Sequence, residues 1–451
     1  MNNKSVVFRH YTPSDYRSIY EFFLSLNRDN RSHINWNFGR FVWMMDHPSF
    51  NPSLSNSIGL WLDKDKVVGL TIFDMYFGEA FVGTLPQYEY LYQEILEYAS
   101  KELKDENGLG IAICDDNKEE IKIAESMGYI LTPQKENEMS VDLDKEFDVT
   151  LPDGLHFEEL DINENTYEFK WVVWQGFNHG DDEKEFQETE DTTPIKKREG
   201  VQNLSYTVCD GNGKKVSYCC FWYDPDADYA YLEPMCTIPS YRGKGVGKAL
   251  VHYLFNLARE KGIKKVYVES TMVFYKKLGF KDDKRFSFYW KDRVIEVNNK
   301  KYKILKLLGK GKGGYSYLAE CDNQQVVLKQ IHHEPCDYYQ FGNKIEAESH
   351  DYQRLLDAGI RIPKMLDIDI EQEIIIKEYI DGDVISELKD KTKNIPQVEE
   401  MARLAKEKGL NIDYYPTNFV VQNEILYYID YECNEYMDEW NLENWGMQYW
   451  K

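Results

Sequence analysis

Residues 239–249 read P-S-Y-R-G-K-G-V-G-K-A, between an apolar strand pattern at 229–238 and an amphipathic helix pattern at 248–261. A strand that enters a helix through three alternating glycines can be built in few ways, and the arrangement suits a phosphate. Gly243, Gly245 and Gly247 let the backbone approach a ligand closely, and the amides of Val246, Gly247 and Lys248 open the helix without intrahelical partners. Arg242 and Lys244 add positive charge beside them. Leu250, Leu254 and Leu257 mark the buried stripe of the helix, and Gly262 follows Lys261 as its stop signal.

The run R-G-K-G-V-G, with the strand before it and Y-K-K-L-G-F at 275–280, resembles the GNAT superfamily of acyl-CoA-dependent N-acetyltransferases. The resemblance implies that Arg242, Gly243, Lys244, Gly245, Val246, Gly247 and Lys248 bind the pyrophosphate of acetyl-CoA.

Composition narrows the partners. The chain has 451 residues, 78 acidic against 54 basic, for a formal net charge of -24. Nucleic acid and anionic membranes call for a basic face, so neither is expected as a partner. A small-molecule amine fits the negative field, as does simple solubility. No stretch reaches the ~20 apolar residues of a membrane span, and the start M-N-N-K-S-V-V-F-R-H has no signal-peptide core, so a cytoplasmic location is expected. Eight cysteines, Cys336 among them, show no C-x-x-C pair and no histidine at zinc spacing, and read as reduced thiols. Cys219 and Cys220, neighbours on a strand, face opposite ways.

Motif order predicts an α/β (α+β) chain of three parts: two GNAT-like mixed-sheet domains at 1–149 and 150–296, then a small truncated kinase-like domain at 297–451. The seams are taken at the acidic, proline-marked 144–154 and at the polar V-N-N-K-K of 297–301. The first two parts open alike, with V-V-F-R-H-Y-T-P-S-D-Y and L-H-F-E-E-L-D-I-N-E-N-T-Y. They close alike, with E-S-M-G-Y-I and K-K-L-G-F-K, which suggests a duplication with a period of about 150 residues. The first copy has L-P-Q-Y-E-Y-L-Y-Q-E where the glycine turn belongs, with Glu89 and Glu94 where a pyrophosphate wants amides and cations, and Ala124 in the place of Tyr275. It reads as a copy without a cofactor site, retained as structure or as one wall of the acceptor cleft.

Acetyl transfer to an amine needs a held cofactor, a polarised carbonyl, a neutral amine and a proton for the departing thiolate. The resemblance gives the backbone of Met235, Cys236 and Thr237 to the pantetheine and the carbonyl, and Tyr275 to the thiolate proton. Glu233, alternating with Met235 and Thr237, is the candidate base, with a relay through water as the alternative. The stretch between 268 and Tyr275 is shorter than the family's and lacks its asparagine, leaving Ser270 or Thr271 as the substitute cofactor ligand. Acceptor specificity is expected at 171–191, where seven acids among residues 181–191 follow Trp171 and Trp174. The other reading of that run is a solvated charged loop.

The third part carries a second glycine loop, Gly309, Gly311 and Gly314, with Lys329 on the next strand pattern. This resembles the nucleotide lobe of the protein-kinase-like superfamily, which implies ATP and Mg²⁺. Glu348 is then the partner of Lys329, 374–383 the hinge, Asp413 the catalytic aspartate, and Asn418 and Asp430 the metal ligands. Asn411 stands where the family has histidine, and the helical lobe is drastically shortened, so a nucleotide-binding pseudokinase is as consistent as a kinase. For the whole chain three readings stand: an amine acetyltransferase with an appended kinase-like domain, an ATP-dependent phosphotransferase, or a non-catalytic sensor of acetyl-CoA and ATP with an unknown protein partner.

Overall fold

The computed structural model describes residues 6–27, 36–46, 50–193, 200–334 and 342–451; Cys336 lies outside them. Two compact units result, Met1–Lys291 and Asp292–Lys451. Among the described residues no helix is long and apolar enough to cross a membrane.

The first unit repeats one series of elements. Its first half runs β1 (Val6–His10), α1 (Tyr16–Leu26), α2 (Phe38–Asp46), β2 (Gly59–Asp63), β3 (Lys66–Phe73), β4 (Glu79–Thr84), α3 (Tyr92–Glu102), β5 (Leu109–Cys114), α4 (Lys118–Ser126) and β6 (Ile130–Asp142). The second half runs β7 (His156–Glu159), α5 (Thr166–Gly176), α6 (Glu183–Thr189), β8 (Gln202–Cys209), β9 (Lys215–Tyr223), β10 (Tyr229–Thr237), α7 (Val246–Glu260), β11 (Lys265–Glu269), α8 (Val273–Lys277) and β12 (Lys281–Lys291). The likeness reaches individual hydrogen bonds. Met127 and Tyr129 donate to the Ala124 carbonyl as Leu278 and Phe280 donate to that of Tyr275, and Gly128 and Gly279 both turn with positive φ.

All twelve strands form one sheet, ordered β1-β2-β3-β4-β5-β12-β6-β11-β10-β9-β8-β7. The order is palindromic, and each half ends in a strand given to the other: β12 pairs with β5, and β6 pairs with β11. The division expected at 149/150 therefore does not separate two bodies, because one apolar core runs through both halves.

The second unit runs β13 (Val294–Val297), β14 (Lys300–Lys310), β15 (Gly314–Cys321), β16 (Gln324–Ile331), α9 (Lys344–Asp357), β17 (Met365–Asp369), β18 (Ile374–Glu378), β19 (Asp383–Val384), α10 (Ile395–Glu407), β20 (Leu410–Ile412), β21 (Phe419–Gln422), β22 (Ile425–Tyr428) and β23 (Cys433–Glu435). A six-stranded sheet, β13-β14-β15-β16-β18-β17, packs with smaller sheets around its own core. The seam expected at 297–301 is corrected to a hairpin turn. Asn298 and Asn299 both have positive φ, the conformation of a two-residue turn, and β13 pairs with β14 through it.

Candidate functional site

Strand β10 pairs in parallel with β11 over three residues, Tyr229↔Lys265 to Tyr231↔Tyr267, and the ladder then ends while β10 continues to Thr237. A bulge between Leu232 and Met235 displaces the strand from β9 at the same place. The result is a wedge in the middle of the sheet, with backbone of 232–237 along one edge.

The glycine turn follows directly. Gly243 and Gly245 have φ of 73° and 83°, with open space where a side chain would stand. Gly245 caps α7, whose first amides face outward with the positive end of the helix dipole. At Gly247 a Cβ would lie 2.6 Å from Met235 Cε and 3.1 Å from Thr237 Oγ1, so this glycine keeps the floor between helix and strand clear. Lys248 is exposed beside it, and Lys244 stacks over the Tyr241 ring at 5.1 Å.

Two sequence assignments are corrected in part. Arg242 aims its guanidinium at backbone: Nε donates to Thr237 O at 2.8 Å and an Nη to Gly176 O at 2.6 Å, closing the end of α5 onto β10. It braces the turn while itself remaining exposed, alongside Lys244 and Lys248. Ser270 Oγ accepts from the Met272 amide at 3.1 Å, organising the entry to α8.

Tyr275 lies on α8 and is 8% exposed, packed against Phe274 and Phe280. Burial holds its phenol well above the ordinary range, and the neighbouring Cys219, Glu233 and Cys236 push the same way. Glu233 stands in the bulge; its carbonyl accepts from Trp222 Nε1 at 2.8 Å. The alternation by which sequence aimed it is broken here. Leu232 and Met235, three residues apart, pair with Phe221 and Cys219 on one face of β9, so strand parity does not orient Glu233. Burial raises its carboxyl to about 7 against the pull of Arg40, with Asp74 adding to the rise. Cys236 is buried; its carbonyl accepts from Ser217 Oγ, which also bonds Thr237 Oγ1 at 2.9 Å.

In the first half the same position is closed. A 3-10 segment, Pro86–Leu91, replaces the glycine turn, Glu94 accepts from Trp61 Nε1 at 2.7 Å, and Ala124 is fully buried. Asp182 caps α6, Asp181 and Glu183 are exposed, and Trp171 and Trp174 pack on the buried Phe186.

Sequence reasoning missed a cluster on the wedge. Arg40 of α2 contacts Glu269, with Asp74 at 3.5 Å and Glu136 at 3.8 Å. These residues come from both halves through the exchanged strand, and no local motif announces them. Also unforeseen, His156, Glu158 and Cys209 place their ligand atoms within 4.8 Å of one another, because His156 and Cys209 are cross-strand partners. Glu158 is engaged there by Lys215 at 3.6 Å.

In the second unit the residues picked from sequence meet. Lys329 Nζ lies 2.7 Å from Glu348 Oε1 and 3.3 Å from Asp430 Oδ1. Asn418 Nδ2 donates to the Asp413 carbonyl at 3.5 Å. Gly309 and Gly311 lie in and after β14, and Gly314 opens β15, where a Cβ would meet Gln330 O at 2.5 Å. Lys377, inside the run read as a hinge, was not singled out. It is buried, donates to Ile429 O at 2.6 Å, and burial together with Lys329 lowers it to about 8. A lone lysine within I-I-I-K-E was the available signal.

Residues 166–280, which hold the splayed parallel pair, the bulged strand and the glycine-capped helix, match the Acetyltransferase (GNAT) family. Over 58 residues the chain is 43% identical to glucosamine 6-phosphate N-acetyltransferase of Trypanosoma brucei brucei, a match covering 12% of this chain and 40% of that protein. The chain thus spans less than half the length of this relative. Similar solved structures include a tandem GNAT protein from the clavulanic acid biosynthesis pathway, at 13% identity over 63% of this chain and 98% of that one, TM-score 0.42. A GCN5-related N-acetyltransferase from Sphaerobacter thermophilus is 15% identical over 63% of this chain and 95% of its own, TM-score 0.39.

Proposed function

We propose that the second half of the first unit transfers an acetyl group from acetyl-CoA to a primary amine of a small molecule, and that the first half is a GNAT-like copy without a cofactor site. The observation that carries this is the wedge opening beside the glycine-capped start of α7, with Tyr275 and Glu233 nearby. The residues suit the cofactor: Gly247 leaves no room for a side chain, and the outward amides of α7 with Lys244 and Lys248 suit a pyrophosphate. Acetyl-CoA, when bound, supplies an activated thioester.

The chain's own residues do the rest. The edge of Met235, Cys236 and Thr237 that β11 leaves uncovered orients the acyl arm. Glu233, with its carboxyl raised to about 7, is poised to take a proton from the incoming amine near neutral pH. Tyr275, protonated across that range, gives the hydroxyl proton to the departing sulfur. Binding calorimetry with acetyl-CoA tests the reading. Wild type and Lys329→Met should bind it and Gly247→Glu should not; a wild type that fails to bind refutes it.

A second activity is favoured by the Lys329–Glu348–Asp430 contacts. We infer that the second unit is kinase-like and holds Mg-ATP, with the phosphates under the loop of Gly309, Gly311 and Gly314 and the metal on Asn418 and Asp430. Asp413 would then accept the proton of a hydroxyl substrate. Calorimetry with Mg-ATP should give binding that Lys329→Met weakens and Gly247→Glu leaves alone. Turnover assays with amine and hydroxyl acceptors separate enzyme from sensor.

A further inference from the structure

The two sides of the wedge differ in chemistry. Met235, Thr237 and Gly247 lie together on the side of α7. On the other side α2 rides directly on the sheet, since a Cβ on Gly39 would come within 2.8 Å of Tyr231 Cβ and 3.0 Å of Trp222 Cβ. That contact sets Arg40, the next residue, above the end of β11.

Four carboxyls, those of Glu269, Glu136, Asp74 and Glu233, act on Arg40, and a fifth, that of Glu138, lies across from Glu269. Glu269 ends β11, Glu136 and Glu138 lie two apart on β6, Asp74 follows β3, and Glu233 sits in the bulge of β10. Glu138 is the direct cross-strand partner of Glu269, so two acids face each other on one side of the sheet. Like charges in that position are destabilising unless something offsets them. Glu269 and Glu136 share a hydrogen bond as well as the guanidinium, and Glu138 feels the charge of Glu269. Glu138 is only 8% exposed, yet its Oε1 is buried with no hydrogen-bond partner. Lys284, the cross-strand partner of Glu138 on β12, and Lys265 draw on its charge from a distance while pairing with Asp116 at 3.2 Å and Asp142 at 3.3 Å, and Asp283 adds further negative charge. Arg40 is the cation paired with Glu269, Glu136 and Asp74, and the Glu138 oxygen in the same group of acids has no hydrogen-bond partner. Burial raises the Glu138 carboxyl to about 8, and a positively charged N–H donor would both satisfy its open oxygen and favour the carboxylate.

We propose that this cluster binds an ammonium group of the acceptor, so that the substrate is a di- or polyamine anchored by Glu138, Glu136 and Glu269. This rests on the acetyltransferase reading and names its substrate class. One amino group, neutral, meets the thioester while a second stays charged on the cluster. The N–C bond forms as the C–S bond breaks; the amine proton leaves on Glu233, and the sulfur takes the Tyr275 proton, which solvent restores. The products are free CoA and a mono-acetylated amine that keeps its anchoring ammonium. A phosphorylated amino sugar meets repulsion at the same place.

The test compares 1,4-diaminobutane, butylamine and glucosamine 6-phosphate as acceptors for the full-length protein with acetyl-CoA. Calorimetry of acetyl-CoA and of 1,4-diaminobutane is run on the same samples. The diamine should exceed butylamine in kcat/KM by about tenfold or more, as expected for one desolvated charge pair. Glu138→Gln should collapse that ratio, chiefly through KM, and weaken diamine binding, while retained acetyl-CoA binding certifies its fold. Glu136→Gln serves if the first variant does not fold, and the wild-type ratio needs no variant. Acetyl-CoA binding with equal turnover of diamine and butylamine, or with preference for the sugar phosphate, overturns the proposal alone. So does the absence of diamine binding to a protein that holds acetyl-CoA. Failure to bind acetyl-CoA overturns both readings together.

Discussion

At the scale of the residue, burial decides the chemistry. Glu233 sits at about 7 because desolvation outweighs the attraction of Arg40. A base works deprotonated, so kcat/KM, corrected for the neutral fraction of the amine, should rise as pH climbs through 7 and level off above it. Glu233→Gln should remove that limb and lower the rate by about 10²-fold, the usual weight of a general base. Arg40→Met should move the limb to higher pH, because the guanidinium favours the carboxylate; a pH–rate series on the three proteins checks both signs. With Tyr275 as the proposed proton donor, Tyr275→Phe should lower kcat and spare acetyl-CoA affinity. Tyr275 was legible because Y-K-K-L-G-F is local. Arg40 was not, because nothing near it in sequence shows that α2 begins over the end of β11.

At the scale of the element, the turn before α7 and the helix α4 carry separable predictions. Gly245 has φ of 83° with no neighbour to strike, so Gly245→Ala should cost about 1 kcal/mol through the backbone alone and lower the thermal midpoint. Gly247→Ala meets Met235 Cε and Thr237 Oγ1, so its effect should fall on acetyl-CoA affinity; scanning calorimetry against ligand titration separates the two. In α4, burial raises Glu120 to about 8. The native state then holds a proton that the unfolded chain gives up near its ordinary 4.5, so this residue's share of stability falls as pH rises from 5 to 8. Thermal midpoints of Glu120→Gln against wild type should diverge over that window, with the variant gaining toward pH 8. The glycine turn could be read from sequence, since three glycines between a strand and a helix leave little choice. The bulge in β10 could not, because it is a property of pairing with β9.

At the scale of the molecule, the exchanged strands make the two halves of the first unit one folding problem. Residues 1–149 alone leave β5 without β12, and residues 150–291 alone leave β11 without β6. Each fragment should be insoluble by itself, and the pair should be recovered as a soluble complex when co-expressed; independent folding of either would show the exchange to be dispensable.

The sequence by itself made legible the two glycine loops, the repeated order of elements and the residues Lys329, Glu348 and Asp430 that meet in the second unit, because each was picked from a pattern within one stretch of chain. Tertiary structure alone decided that β6 and β12 change places, that Arg242 braces backbone, that V-N-N-K-K is a hairpin turn, and that Arg40 meets Glu136 and Glu269. The strand exchange and the Arg40–Glu269 contact depend on which elements meet across more than a hundred residues, a choice made by the burial of a shared core that local pattern does not encode.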